Sequence, residues 1–110
     1  MKDRFEQSPS ESLSALRREL DCIDRDLLKR IDRRMAASKR IGTVKSRTGI
    51  PVMQPQRVRE VLDDRSRIGA RFGLDDKFVR KLFSLLVRES VRIQEEMLKN
   101  GASTRKPPSR

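Results

Sequence analysis

A chain of 110 residues with 35% apolar content, no Trp or Tyr and four Phe can build one domain around a modest aliphatic core. Lys and Arg outnumber Asp and Glu by 27 to 16, a formal net charge of +11, which suits a polyanion or a small dianionic substrate equally. The absence of His removes imidazole acid–base chemistry and His-based triads, and with a single Cys it leaves little from which to build a zinc site.

Taken in order, residues 1–7 are polar and read as a flexible N-terminus. Ser8-Pro9-Ser10-Glu11 then has the form of a capped helix start, with Pro9 at the first helical position and Glu11 placed for a capping box. Apolar residues recur at Leu13, Leu16, Leu20, Ile23, Leu27, Ile31, Met35, Ile41 and Val44, which predicts one very long helix to Arg47. Such a helix would run roughly 60 Å, too far for the core of one small domain, so part of its stripe calls for a partner chain. Cys22 lies near that stripe and reads as a reduced, buried thiol. Thr48-Gly49-Ile50-Pro51 ends the helix. A second begins near Gln54 with Pro55 in its first turn, and its inner face is Val58, Val61, Leu62, Ile68 and Phe72. Gly73 stops it, and Asp75 or Asp76 caps a third helix carrying Phe78, Leu82, Phe83, Leu86, Val91 and Met97. Asn100-Gly101 is the expected end of that helix, leaving residues 102–110 as a disordered basic tail. No strand alternation appears, so the expected fold is all-α with three helices. With no apolar run of about 18 residues and no leader-like pattern, the expectation is a cytoplasmic protein that does not enter a membrane.

Arg25, Lys29, Arg33 and Lys39 fall on the outer face of the first helix, where a solvated charge needs no explanation. Arg34 and Lys45 differ. Eleven residues is three turns plus about 20°, so the two share a face with Ser38 and Ile41 between them, beside Met35 and Val44. Two cations on a partly apolar stripe either snorkel to its edge or enclose an anion. Arg17 points roughly 100° away from Arg34 and about 25 Å along the axis, out of reach of the same pocket within one chain but not across an antiparallel pair of helices. On the third helix Ser90 and Gln94 continue the inner row of Leu86, as helix-to-helix hydrogen bonds or as ligand contacts. Arg57, near the start of the second helix, is either a further anion contact or an ordinary surface charge.

In this order and spacing, these positions resemble the AroQ-class chorismate mutase family over about residues 12–98. Leu16-Arg17-Arg18-Glu19-Leu20, Ile23-Asp24 and Leu27-Leu28 resemble its opening pattern. Arg33-Arg34, Ile41-Gly42 and Lys45 match its next block, Pro55-Gln56-Arg57 its second-helix start, and Leu82-Phe83, Ser90 and Gln94 its end. The resemblance implies a chorismate mutase type II domain over residues 8–101. It further implies an intertwined all-helical homodimer and a Claisen rearrangement of a small dicarboxylate, with no metal or cofactor. By position, it implies that Arg34 and the partner chain's Arg17 hold the two carboxylates with support from Arg57. Lys45 and Gln94 donate to the ether oxygen, Gln94 through its amide N–H, and Ser90 orients a carboxylate or the ring end.

Two positions depart from the family pattern. Gln54 stands where typical members have aspartate, and Val58 stands where they have a glutamate that accepts from the substrate's ring hydroxyl. Valine cannot accept a hydrogen bond. The string from Pro51 to Val58 looks more like the branch acting on 4-amino-4-deoxychorismate, so Gln54 and Val58 are expected to be substrate-binding positions and the amine the preferred C4 substituent. Ordinary conversion of chorismate to prephenate is the alternative, followed by isochorismate-pyruvate lyase chemistry. A non-enzymatic basic helical module ranks last: no aromatic is interleaved with the basic residues, and no nucleic-acid partner is expected.

Overall fold

Ser12 opens the first helix. Its hydroxyl accepts the Ala15 N–H at 3.0 Å and its carbonyl the Leu16 N–H at 3.1 Å, the bonding of an N-cap. The computed structural model describes residues 12–105, with side chains described for residues 12–100. Three helices follow one another, α1 at Leu13–Thr48, α2 at Pro55–Arg71 and α3 at Asp76–Arg105, with no strand among the described residues. The flexible N-terminus expected at residues 1–7 and the cap expected at Ser8 to Glu11 both lie outside the described residues.

The connections are set by residues at the helix ends. Gly49 closes α1 with φ 76°, and the Ile50 N–H returns to the Lys45 carbonyl at 3.1 Å. Gln54 is extended ahead of Pro55, and its carbonyl accepts the Val58 N–H at 3.1 Å, while its side chain makes no cap. At the end of α2, Gly73 takes φ 75°, and the Phe72 and Leu74 N–H groups both reach the Gly69 carbonyl at 3.0 Å. Asp75 caps α3, its Oδ2 accepting the Phe78 N–H at 2.9 Å. The expected stop at Asn100-Gly101 is not found. α3 runs on to Arg105, because one helical glycine costs only about 1 kcal/mol and Ala102 favours the helix again. Of the tail expected at residues 102–110, residues 102–105 are therefore helical and 106–110 lie outside the described residues.

The chain divides into two units, residues 1–34 and 35–110. In the second, α2 packs on α3 around Val61 and Val79, which are 5% and 4% exposed. Gly69 permits the approach: a Cβ there would fall 2.8 Å from Val79 Cγ2. Arg80 ties the two helices at the surface, 3.0 Å from Asp63 and 3.2 Å from Asp76, and Asp76 is also bonded by Ser66. Leu62, Leu82, Phe83, Leu86, Val91 and Met97 are half-buried as their periodicity requires. Ile68, Phe72 and Phe78 are corrections to the expected inner faces. Phe72 is 76% exposed just past the end of α2, Phe78 is exposed in the first turn of α3, and Ile68 faces outward.

In the first unit, Leu13, Leu16, Leu20, Ile23 and Leu27 form an exposed apolar row along α1. Cys22 is a free, exposed thiol, not the buried one expected, because the stripe beside it is itself uncovered in the chain. Among the described residues, no helix is long and apolar enough to cross a membrane.

Candidate active site

Lys45 sits in the last turn of α1, where the helix's exposed carbonyls favour a cation. Its ammonium donates to the Val52 carbonyl at 2.7 Å and to Gln94 Oε1 at 3.1 Å. Burial disfavours the charged form and lowers its pKa below the ordinary 10.5. Two of the three ammonium hydrogens are used by these acceptors, and the third is available to a ligand oxygen. Lys45 lines an open concavity of about 460 Å³, together with Ala37, Arg40, Ile41, Val44, Ile50 and Gln54. Its walls are mainly apolar, and the polar groups around it are two cations and one amide.

Gln94 reaches this site from α3 and is 5% exposed. Its amide Nε2 donates to the Ser38 carbonyl and to Ser38 Oγ, both at 3.0 Å. The network fixes which way the amide points. Turned over, it would set its N–H groups against the Lys45 ammonium and its oxygen against the Ser38 carbonyl. The amide nitrogen, through which Gln94 is expected to donate to the substrate's ether oxygen, thus lies against Ser38, while the amide oxygen holds Lys45. Gly42 makes room for this contact. A Cβ there would lie 2.9 Å from Gln94 Cγ and 3.3 Å from Gln94 Cβ.

The other predicted residues are distributed as follows. Gln54 is a wall of the concavity. Val58 is half-buried one turn into α2. Ser90 is also half-buried, and its hydroxyl donates to Met35 Sδ at 3.8 Å, so it acts at least in part as a helix-to-helix contact. Arg57 is exposed and lies 3.7 Å from Glu60 one turn along. Arg34 and Arg17 belong to the first unit; Arg34 is half-buried, and Arg17 is exposed. Sequence reasoning assigned no role to Ser38, Arg40, Ile50 or the Val52 carbonyl. The only available signal was Ser38 itself, a small polar residue on the Arg34–Lys45 stripe. In the sequence Gly42 belongs to the Ile41-Gly42 motif, and an isolated helical glycine is itself a sign of close approach.

A family model described as chorismate mutase type II matches residues 16–95, which takes in Lys45, Gln94 and the concavity. The chain is 38% identical to a 4-amino-4-deoxychorismate mutase of Streptomyces venezuelae over 84% of this chain and 89% of that protein. It is 33% identical to a 4-amino-4-deoxychorismate mutase of Streptomyces pristinaespiralis, over 86% of this chain and 73% of that one. A chorismate mutase of Methanocaldococcus jannaschii is 26% identical over 87% and 97%. A part-buried ammonium held by two carbonyl oxygens at an apolar concavity is suited to a reaction that needs fixed charge and shape, and with the match over residues 16–95 it places this chain in the chorismate mutase type II family.

Proposed function

We propose that this enzyme converts 4-amino-4-deoxychorismate to 4-amino-4-deoxyprephenate by a [3,3] Claisen rearrangement. The observation that carries this reading is the Lys45 ammonium, pinned by Val52 and Gln94 at the edge of the concavity with one hydrogen left to give. In the rearrangement the ether C–O bond breaks as the new C–C bond forms, and negative charge grows on the ether oxygen. A preoriented ammonium meets that charge without reorganising, an effect of about 3–4 kcal/mol for one such donor. The apolar walls favour the compact conformer in which the two carbon termini meet. No step requires a proton acceptor, a metal or a cofactor.

The substrate carries two carboxylates, and the cations proposed to hold them are Arg34 and Arg17, with Arg57 at the rim and Ser90 orienting the bound ring. Arg17 would come from the partner in an intertwined homodimer. The exposed row from Leu13 to Leu27 supports this arrangement, since a stripe of that length is stable only when covered. Lys45 and Gln94 are the donors proposed for the ether oxygen, and the Gln94 oxygen also holds Lys45. At the C4 end Val58 offers no acceptor, which lowers the affinity for a hydroxyl that must donate. The Gln54 amide oxygen, on the wall of the concavity, can accept from an amine. Similarity to two proteins named for the amino substrate supports the same choice.

The test is to incubate the purified chain with 4-amino-4-deoxychorismate and follow the mixture by proton NMR. Loss of the enol ether and ring-diene signals, with appearance of the rearranged pyruvyl product, is expected. An unchanged spectrum, or release of free pyruvate alone, would overturn the proposal.

A further inference from the structure

Charge is unevenly distributed over the second unit. Residues 35–59 include Lys39, Arg40, Lys45, Arg47, Arg57 and Arg59 and no Asp or Glu. The acids that follow on α2 and α3 are mostly matched there: Asp63 and Asp76 pair with Arg80, and Glu89 and Glu96 with Arg92. Among the described residues, Lys39, Arg40 and Arg47 enter no ion pair. Of those three, Arg40 lines the concavity, where Lys45 is the second cation. The two differ in kind. Lys45 is part-buried and tied to the Val52 carbonyl and to Gln94 Oε1. Arg40 is exposed, and among the described residues no hydrogen bond fixes its side chain.

We propose that Arg40 is the capture residue of this site: its charge at the mouth of the concavity draws in a small dicarboxylate and takes no part in the rearrangement. The identity of that dicarboxylate rests on the proposed function; the capture itself can be tested without turnover. An exposed, untethered guanidinium is screened by water and loses side-chain freedom if it clamps a ligand, so it favours encounter and binding over transition-state positioning. The stretch around it holds no acid to cancel its field. A small dianion suits the place better than a nucleic acid. The walls are mainly apolar around about 460 Å³, and residues 35–59 contain no aromatic on which a base could stack. By Coulomb's law, one cation about 7 Å from two negative charges in water raises occupancy about fivefold at ~10 mM salt and less than about twofold at ~0.5 M.

The experiment measures kcat and KM for 4-amino-4-deoxychorismate against sodium chloride concentration in full-length wild-type, Arg40→Glu, Arg40→Lys and Lys77→Glu chains. In Arg40→Glu, KM rises about 25-fold at low salt, the square of the single-charge effect, and the difference shrinks as salt is added, with kcat within about twofold of wild type. Arg40→Lys keeps the charge but not the planar fork and stays near wild type. Lys77→Glu makes the same change of charge past the far end of α2, a helix about 25 Å long, and alters KM by less than about twofold. In parallel, isophthalate, a ring dicarboxylate that cannot rearrange, is titrated into each chain while the Arg40 Nε–H is followed by nitrogen NMR. It shifts that resonance in wild type, less so at high salt, and binds Arg40→Glu more weakly. A KM indifferent to salt, a fall in kcat of Arg40→Glu as large as the rise in KM, or an equal effect of Lys77→Glu would overturn the capture role and leave the proposed reaction standing. Salt-dependent binding of isophthalate at Arg40 in a protein with no turnover would support capture of a dianion and count against the proposed reaction instead.

Discussion

Gly42→Ala puts the close approach of α3 to α1 to a quantitative test. The added methyl would lie 2.9 Å from Gln94 Cγ, 3.3 Å from its Cβ and 3.6 Å from its Cα. Rotating the Gln94 side chain removes the first contact but not the second, and the third involves backbone, so relief requires the helices to part by several tenths of an ångström. Overpacking of this kind costs about 1–3 kcal/mol. Prising Gln94 from Ser38 leaves buried polar groups unmatched, a further ~1–3 kcal/mol. Against this, alanine favours the helix over glycine by about 1 kcal/mol. The expected net loss is ~2–3 kcal/mol, read from urea unfolding followed by circular dichroism at fixed protein concentration, with kcat reduced at least about tenfold as Lys45 loses its fixed acceptor. A Gly42→Ala protein as stable as wild type and equally active would refute the reasoning, since it would mean that α3 does not need to lie so close to this turn.

The other expectations concern separate parts of the account. Gly73→Ala meets no neighbour but must hold φ 75°, so it should lose about 1–2 kcal/mol of stability in urea unfolding with kcat unchanged. Lys45→Ala should lower kcat/KM by the equivalent of ~3–4 kcal/mol while the helical circular dichroism persists; near-wild-type turnover would remove Lys45 from the chemistry. The charged ammonium is the donor and burial lowers its pKa, so kcat/KM should be lost as pH rises through a value below 10.5, a limb absent from Lys45→Arg. Mixing inactive Arg17→Ala and Arg34→Ala chains should restore about a quarter of wild-type activity, one working site in each heterodimer, and no recovery would argue against a site shared between protomers. Val58→Glu should raise kcat/KM for chorismate relative to the amino substrate, by supplying the acceptor a hydroxyl needs; an unchanged ratio would show that Val58 does not read the C4 substituent.

Local chemistry made the helix ends readable from sequence. Gly49 before Pro51, Gln54 before Pro55, Gly73, and Asp75 ahead of Phe78 each carry a backbone preference that does not depend on the rest of the fold. Asn100-Gly101 misled because a glycine ends a helix only where it turns left-handed, and here the residues after it continue the helix. Periodicity found the row from Leu13 to Leu27 but could not say what covers it, which is also why Cys22 was expected to be buried. Val79, one of the two buried apolar residues among the described residues, was missed because its importance comes from Gly69 on another helix. In the site, Lys45 stood out as a cation on an apolar stripe and Gln94 as an amide on an inner row. Their pairing, and the direction in which the amide points, depend on Ser38 and Gly42 across a helix contact that no spacing rule encodes.

The most direct measurement is kcat/KM for 4-amino-4-deoxychorismate and for chorismate on the same preparation, followed by loss of the ring-diene absorbance. The account predicts turnover of both kinds of ring by one cationic site, with the amino substrate clearly preferred because Val58 leaves a hydroxyl without its acceptor. A preference for chorismate would contradict the roles given to Gln54 and Val58, and failure to rearrange either substrate would contradict the function itself.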